Sequence, residues 1–579
     1  MKPRPTVQED FGAEANSNSH QAPLMLWLGL LLIFALYTAL VWSLTPTNYF
    51  GLAEDDSLYF SSGKALASGQ GYLLSSLPGS PQATKYPALY PWLMSWVWRA
   101  SPSFPQNLKI AIGFNVVCGF VFLGITFVFL RTIPGLTDAE SLVITALCAT
   151  HPMVLFHSAN VLPEIPFAAF TLGAIVLVTR APSTADGKFE YAASGVLSGL
   201  SLMTRTLGIP IAAGLFLATL ARSGWRRSIY FTTGVLPFAG FSFWRSLRAT
   251  PASIPDAAPA CANVVRTSWL YYTSYLGFWR ADVLHGSGLL HVLKQNTLLL
   301  LLQPGAYLVD PHTVRPEALA FAPAVILSVA AIRGLARRVG GGKWQPVHFA
   351  LVLYAIPLLI WDYPVMERFL LLFLPLFMAG VWLEGKSLVR RIIADLVRTR
   401  PVGPGRQTGA AVFLAVALLS LAFSLGHSYW REAAMLRKTS AVRQKLLVDK
   451  QQAYSWLAAN TSPQTRVLAY EDAAVYLYAH RQAIRPVIFS PAGIVRPERL
   501  NAELACMTAV ADATGATYYL ISEDDFGFEW EPAITLGRKR ETELAAALIP
   551  IFRSATGRVQ LYRLQGTLDF GYKALENRH

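Results

Sequence analysis

The chain has 579 residues, 53% of them hydrophobic and only 15% charged, against the roughly 25% charged that is usual in soluble proteins. That composition excludes a single soluble domain and leaves room for about ten membrane spans plus an appended domain. The formal net charge of +14 does not signal nucleic acid, because the basic residues fall in short loops between apolar runs, where they set topology.

Residues 1–23 are polar, lack apolar periodicity and read as a disordered cytoplasmic tail. Residues 24–44 carry no charge and are too long for the core of a signal peptide, so they read as a retained transmembrane helix. A long loop rich in aromatic residues, Pro, Gly and Ser follows at about 45–108. Apolar runs then recur at about 110–130, 141–156, 165–178, 191–204, 207–220 and 229–244. A second long loop covers about 245–318 and includes an apolar stretch, 297–302, that suits the membrane interface. Runs near 319–332, 347–361, 369–383 and 409–425 complete about eleven spans.

With the N terminus in the cytoplasm, the predicted cytoplasmic loops carry Arg131, then Arg180 and Lys188, then Arg222, Arg226 and Arg227. Two later ones carry Arg333, Arg337, Arg338 and Lys343, and Lys386, Arg390, Arg391, Arg398, Arg400 and Arg406. All are basic, as the positive-inside rule requires. Both long loops and residues 428–579 then lie on the other side. That last segment is soluble in composition. Strand-like 466–470, 483–489 and 517–521 alternate with helical 471–480, 498–513 and 541–549, and 553–564 holds a Gly turn between two strand-like runs. This predicts a small extracytoplasmic α/β layer domain, without a dinucleotide fingerprint or a catalytic constellation. The four cysteines form no C-x-x-C pair, so neither a zinc site nor a disulfide framework is implied. Cys261 and Cys506 do share the outer side, where a bridge is permitted.

The chemistry-bearing residues gather on the same side. Asp55 and Asp56 follow Glu54 in the first external loop. A carboxylate there can take the proton of a weakly nucleophilic hydroxyl, and the second can orient the acceptor or bind a metal. The same residues could simply cap a short helix beginning at Ser57. Glu164 lies at the outer end of a span, costly in lipid and therefore expected to face a wet cavity, or else to sit at a helix N-terminus favoured by the dipole. Lys85, Arg205 and Arg368 are cations that need anionic partners. A lipid phosphate is one candidate, and Glu367 or Glu164 is another. Tyr59 and Tyr86 stand near these charges and could stack on a sugar ring, or serve as interfacial anchors. His151 and His157 admit a second-base role or a hydrogen-bonded structural one.

The order and placement of these groups resemble the GT-C superfamily of integral-membrane glycosyltransferases, in particular the polyprenyl- or dolichyl-phosphate-mannose type, with protein O-mannosyltransferases and lipid A aminoarabinose transferases. Asp55-Asp56-Ser57-Leu58-Tyr59 matches that family's acidic pair and aromatic residue, with Asp56 where glutamate is common. Lys85-Tyr86-Pro87-Ala88-Leu89 matches its Lys-Pro-Pro-Leu element, with Tyr86 inserted and Ala88 for the second proline. Glu164 matches a second external acid, Gly195 through Arg205 a Gly-rich helix ending in Thr-Arg, and Glu367-Arg368-Phe369 through Pro375 a late Glu-Arg-aromatic element. The resemblance covers about residues 24–385.

It implies an α-helical polytopic fold in which residues 24–427 form the catalytic domain and 428–579 the external domain. The implied activity is inverting transfer of a sugar from a polyprenyl-phosphate donor to a glycan, lipid or protein hydroxyl. Asp55 would be the base, Glu164 and Asp56 would position the acceptor, and Lys85 and Arg205, with Arg368 as a third, would bind the departing phosphate. No metal is required in that scheme, although part of the family's oligosaccharyl branch uses one. A transporter or flippase of lipid-linked sugars is the main rival; it usually shows an internal repeat, which this sequence lacks. An oligosaccharyl transferase or polymer ligase is a further alternative. The absence of a retention signal at Asn577-Arg578-His579 and the few cysteines outside favour a bacterial inner membrane.

Overall fold

The computed structural model describes residues 22–43, 50–51, 54–182, 187–249, 253–309, 317–339, 344–363, 367–398, 404–527 and 529–564. The predicted N-terminal tail lies almost wholly outside them. Helices dominate up to residue 460, and a five-stranded sheet follows. Among the described residues, Leu24–Ser43, Leu108–Leu130 and Glu367–Ile392 are long and apolar enough to cross a membrane.

The predicted run 141–156 is two helices, Asp138–Thr150 and Pro152–Ser158, bent by 58°. The break is local chemistry. Pro152 lacks an amide hydrogen, and the residue before a proline is pushed out of the α region; His151 is accordingly extended, at φ −65° and ψ 128°. The start of the first helix is set by a capping box in which Thr137 and Glu140 exchange hydrogen bonds. His151 is buried, stacks on Tyr307 and bonds its carbonyl at 2.8 Å, so it takes the structural role.

The runs at 191–204 and 229–244 become Lys188–Thr204 and Trp225–Arg248, which pack closely because glycines meet backbone. A Cβ on Gly195 would stand 2.1 Å from the Phe231 carbonyl oxygen.

The second long loop is more ordered than its composition implies. It holds Ala262–Thr273, Tyr275–Trp279 and a helix of 21 residues, Leu289–Val309. His291, Lys294 and Asn296 interrupt its apolar run and hide it from a hydropathy reading. Asn296 is buried and donates to the carbonyls of Leu358 and Trp361 at 2.9 and 2.8 Å, so its polarity serves packing.

The helix Pro404–Asn460 runs unbroken through the predicted boundary at 427/428 and delivers the sheet domain. Its strands are β1 (Arg466–Ala469), β2 (Gln482–Ile484), β3 (Tyr518–Ser522), β4 (Ile549–Arg553) and β5 (Val559–Arg563), in the order β2-β1-β3-β5-β4. β1 pairs β2 and β3 in parallel, whereas β5 pairs β3 and β4 antiparallel. The predicted helix at 498–513 is interrupted at Cys506, between Pro497–Ala505 and Met507–Thr514. Cys506 is bonded to Cys261, so one disulfide ties the second external loop to the sheet domain. Further ties are Ala483 donating to the Ser76 carbonyl at 2.9 Å and Ala492 donating to Asp282 at 2.9 Å.

Candidate active site at the domain interface

A cavity of about 540 Å³ opens where the helical body meets the sheet domain. Asp55 lines it, at the first turn of the helix Asp55–Ala67. Its Oδ1 accepts from the Tyr86 hydroxyl at 2.9 Å and its Oδ2 from Arg368 at 3.0 Å. A carboxylate has about four lone-pair sites, so Asp55 retains capacity for an incoming hydroxyl. Tyr86 packs edge-on against Tyr59 at 5.2 Å, which fixes the phenol that orients Asp55.

The acidic run divides in a way its sequence does not announce. Glu54 has φ 56° and ψ −56°, a left-handed backbone that is unfavourable for glutamate. Its side chain lines the cavity and is held by Arg485 at 2.9 Å and the Tyr271 hydroxyl at 3.1 Å. Burial pushes the Glu54 carboxyl upward against the pull of Arg485. Asp56 points away from the cavity and is fully buried. It accepts from the Gly51 and Ser57 amides at 2.9 and 2.6 Å, and burial pushes its carboxyl up to about 7. Asp56 thus ties the Gly51 and Ser57 amides beside Asp55, and Glu54 rather than Asp56 lines the cavity.

Glu164 begins the helix Glu164–Arg180 and is 2% exposed. It does not reach the cavity wall, because Arg205 bonds it directly and Arg368 approaches to 3.9 Å. Arg205 sits in an extended residue between two helices, so its guanidinium is free to turn inward. The expected anionic partner of Arg205 is thus Glu164, whereas Arg368 bridges Asp55 and Glu164. His157 stands 3.9 Å from Glu164 and also lines the cavity.

Lys85 differs from both arginines. Its ammonium bonds the Tyr271 carbonyl and lies 4.0 Å from the Tyr271 ring centre and 5.1 Å from those of Tyr86 and Tyr275. Among the described residues no carboxylate lies within salt-bridge distance of it, and burial holds it below the usual lysine value. Arg245 donates to the Ala83 and Tyr86 carbonyls and so holds the strand of chain carrying Lys85. Among the described residues no group of three or more His, Cys, Asp or Glu could hold a metal ion; Asp55 and Glu54 are instead held by Arg368 and Arg485.

The sheet domain supplies Tyr470, Arg485, Phe489, Glu529 and Trp530 to the same cavity. Reading the sequence missed these, because only docking of the domain brings them near Asp55. Acidic Glu529 and Glu531 flanking Trp530 were the one local signal.

No family model matches the sequence, and no curated protein matches it. The chain is similar to solved structures. The oligosaccharyltransferase AglB from Archaeoglobus fulgidus, in complex with an inhibitory peptide and a dolichol phosphate, matches with 12% identity and a TM-score of 0.51, over 93% of this chain and 74% of that one. The same enzyme tethered to an acceptor peptide matches with 12% identity and a TM-score of 0.50, over 89% and 70%. ArnT from Cupriavidus metallidurans bound to undecaprenyl phosphate matches with 12% identity and a TM-score of 0.48, over 95% and 99%. The chain shares its fold with the AglB structure.

Proposed function

We propose that this chain is an inverting glycosyltransferase that moves a sugar from a polyprenyl-phosphate donor to an acceptor hydroxyl. The observation that carries this reading is the pairing of a hydroxyl-accessible carboxylate, Asp55, with a buried lysine that makes no salt bridge among the described residues, in one cavity of a GT-C fold. Asp55 takes the proton of the acceptor hydroxyl as its oxygen attacks the anomeric carbon. The bond from that carbon to the phosphate oxygen breaks, and the lipid phosphate leaves with the electron pair. Lys85, Arg205 and Arg368 face the developing negative charge, which buried cations stabilise far more than water-exposed ones. Tyr86 and Arg368 fix the Asp55 carboxylate so that a lone pair faces the acceptor. No step needs a metal.

The same reading takes the protein as a resident of a bacterial inner membrane, with about eleven spans, a cytoplasmic N terminus and both the cavity and the sheet domain outside. The AglB structure it resembles was solved with a dolichol phosphate, which supports a polyprenyl-phosphate donor. The test is transfer of labelled sugar from a panel of polyprenyl-phosphate monosaccharides in reconstituted membranes, with wild type beside Asp55→Asn. Transfer that collapses in the folded variant supports the scheme. Equal transfer by both moves the base away from Asp55. Lipid translocation without transfer from any donor overturns the enzyme in favour of a flippase.

A further inference from the structure

The cavity has two unlike halves. On the body side, apolar Met153, Phe156 and Leu207 surround the cations, as a lipid phosphate requires. On the domain side the surface is aromatic and acidic. Phe489 and Trp530 meet edge to face at 5.6 Å, and Trp530 is only half-buried, so part of its indole is open. Glu529 accepts from the Tyr470 hydroxyl at 2.5 Å, and among the described residues no cation lies within salt-bridge distance of its carboxylate. Arg485 is already matched by Glu54 and lies over the Tyr470 ring at 4.4 Å. Glu529 is therefore the wall's carboxylate without an ion-pair partner among the described residues.

We propose that this wall is the acceptor subsite and that it takes a neutral sugar ring, an inference that rests on the transferase reading. An indole face packs the C–H face of a pyranose, and a carboxylate accepts from its hydroxyls. The Glu529 carboxylate, which no ion pair engages among the described residues, disfavours a phosphate or uronate at the same place, so the wall selects against anionic acceptors and against the donor's own phosphate. The acceptor hydroxyl then reaches Asp55 from the domain side while the donor enters from the body side.

The test uses the full chain in lipid nanodiscs and saturation-transfer NMR with methyl α-mannoside, methyl β-glucoside, glucuronate and glucose 6-phosphate as probes. Binding of undecaprenyl phosphate is measured alongside. The neutral glycosides are expected to bind in preference to the anionic sugars. Trp530→Ala weakens them about tenfold, and Trp530→Phe restores most of the loss. Glu529→Arg turns the preference toward glucuronate. Undecaprenyl phosphate binding is unchanged in all three variants, which also shows that they are folded. No signal from neutral glycosides, equal signals from wild type and Trp530→Ala, or a wild-type preference for glucuronate overturns the subsite. Failure of wild type to bind undecaprenyl phosphate counts against the transferase reading instead.

Discussion

Two buried charge clusters sit close together in this molecule and are built differently. Between the long helix and the sheet domain, Arg443 and Lys450 each contact both Glu471 and Asp524, at 2.5 to 2.8 Å. Two cations meet two anions, and every charge is answered. At the cavity, Arg205, Arg368 and Arg485 pair with Glu164, Asp55 and Glu54, while Lys85 and Glu529 have no ion-pair partner among the described residues. A closed cluster of the first kind locks domains together. An open one leaves buried charges that a ligand can answer. The difference lies in pairing and access, since both clusters use the same residue types.

Substitutions that treat the two clusters alike should separate them. Asp55→Asn keeps an acceptor for the Tyr86 hydroxyl but loses the base, and sugar transfer is expected to fall by about 10²–10⁴-fold with little change in melting temperature. Glu471→Ala leaves Arg443 and Lys450 with half their anions in a buried site, at a cost of about 3–5 kcal/mol, read as a lower melting temperature. Its undecaprenyl phosphate affinity, measured below that temperature, is expected to stay the same, and a fall there would dissolve the distinction. Lys85→Met removes the cation without an ion-pair partner among the described residues. Undecaprenyl phosphate binding should weaken by about ten- to a hundredfold, from the roughly 1.5–3 kcal/mol of a charge-assisted hydrogen bond, without loss of stability.

The smallest effect concerns Glu503, which accepts from the Ser490 hydroxyl at 2.5 Å and whose carboxyl burial pushes up to about 7. Its unfolded value is near ~4.3. The folded state therefore holds the proton between those values, and the stabilisation, complete at lower pH, is lost as pH rises through them. Thermal melts between about pH 4 and pH 8 should show Glu503→Gln flattening part of that slope. An unchanged slope would place the pH sensitivity elsewhere.

Much of the body was legible because spans and loops differ in composition and because Asp55 and Lys85 sit in loops where charge is conspicuous. The placement of Glu54 rather than Asp56 at the cavity was not. It depends on a left-handed backbone at Glu54 that turns consecutive side chains to unexpected sides. Leu289–Val309 was hidden for the opposite reason, since polar residues that serve packing read as loop. The break at His151–Pro152 was written in the proline and lost to the apolar run around it. Arg485 was illegible because nothing local distinguishes a residue that meets Glu54 only after the sheet domain docks, and Trp530 carried only its flanking acids as a signal.

The Cys261–Cys506 bond spans 245 positions of the chain and joins a loop to the domain that roofs the cavity. The ribosome emits Asp55 and Lys85 early and Glu529 and Trp530 near the end. Biogenesis therefore passes through a stage in which Asp55 is present beneath an open roof. The bond can form only once the second thiol has been made and the sheet domain has docked on the loop. The bond is thus a maturation mark: a chain that carries it has brought its two halves into register.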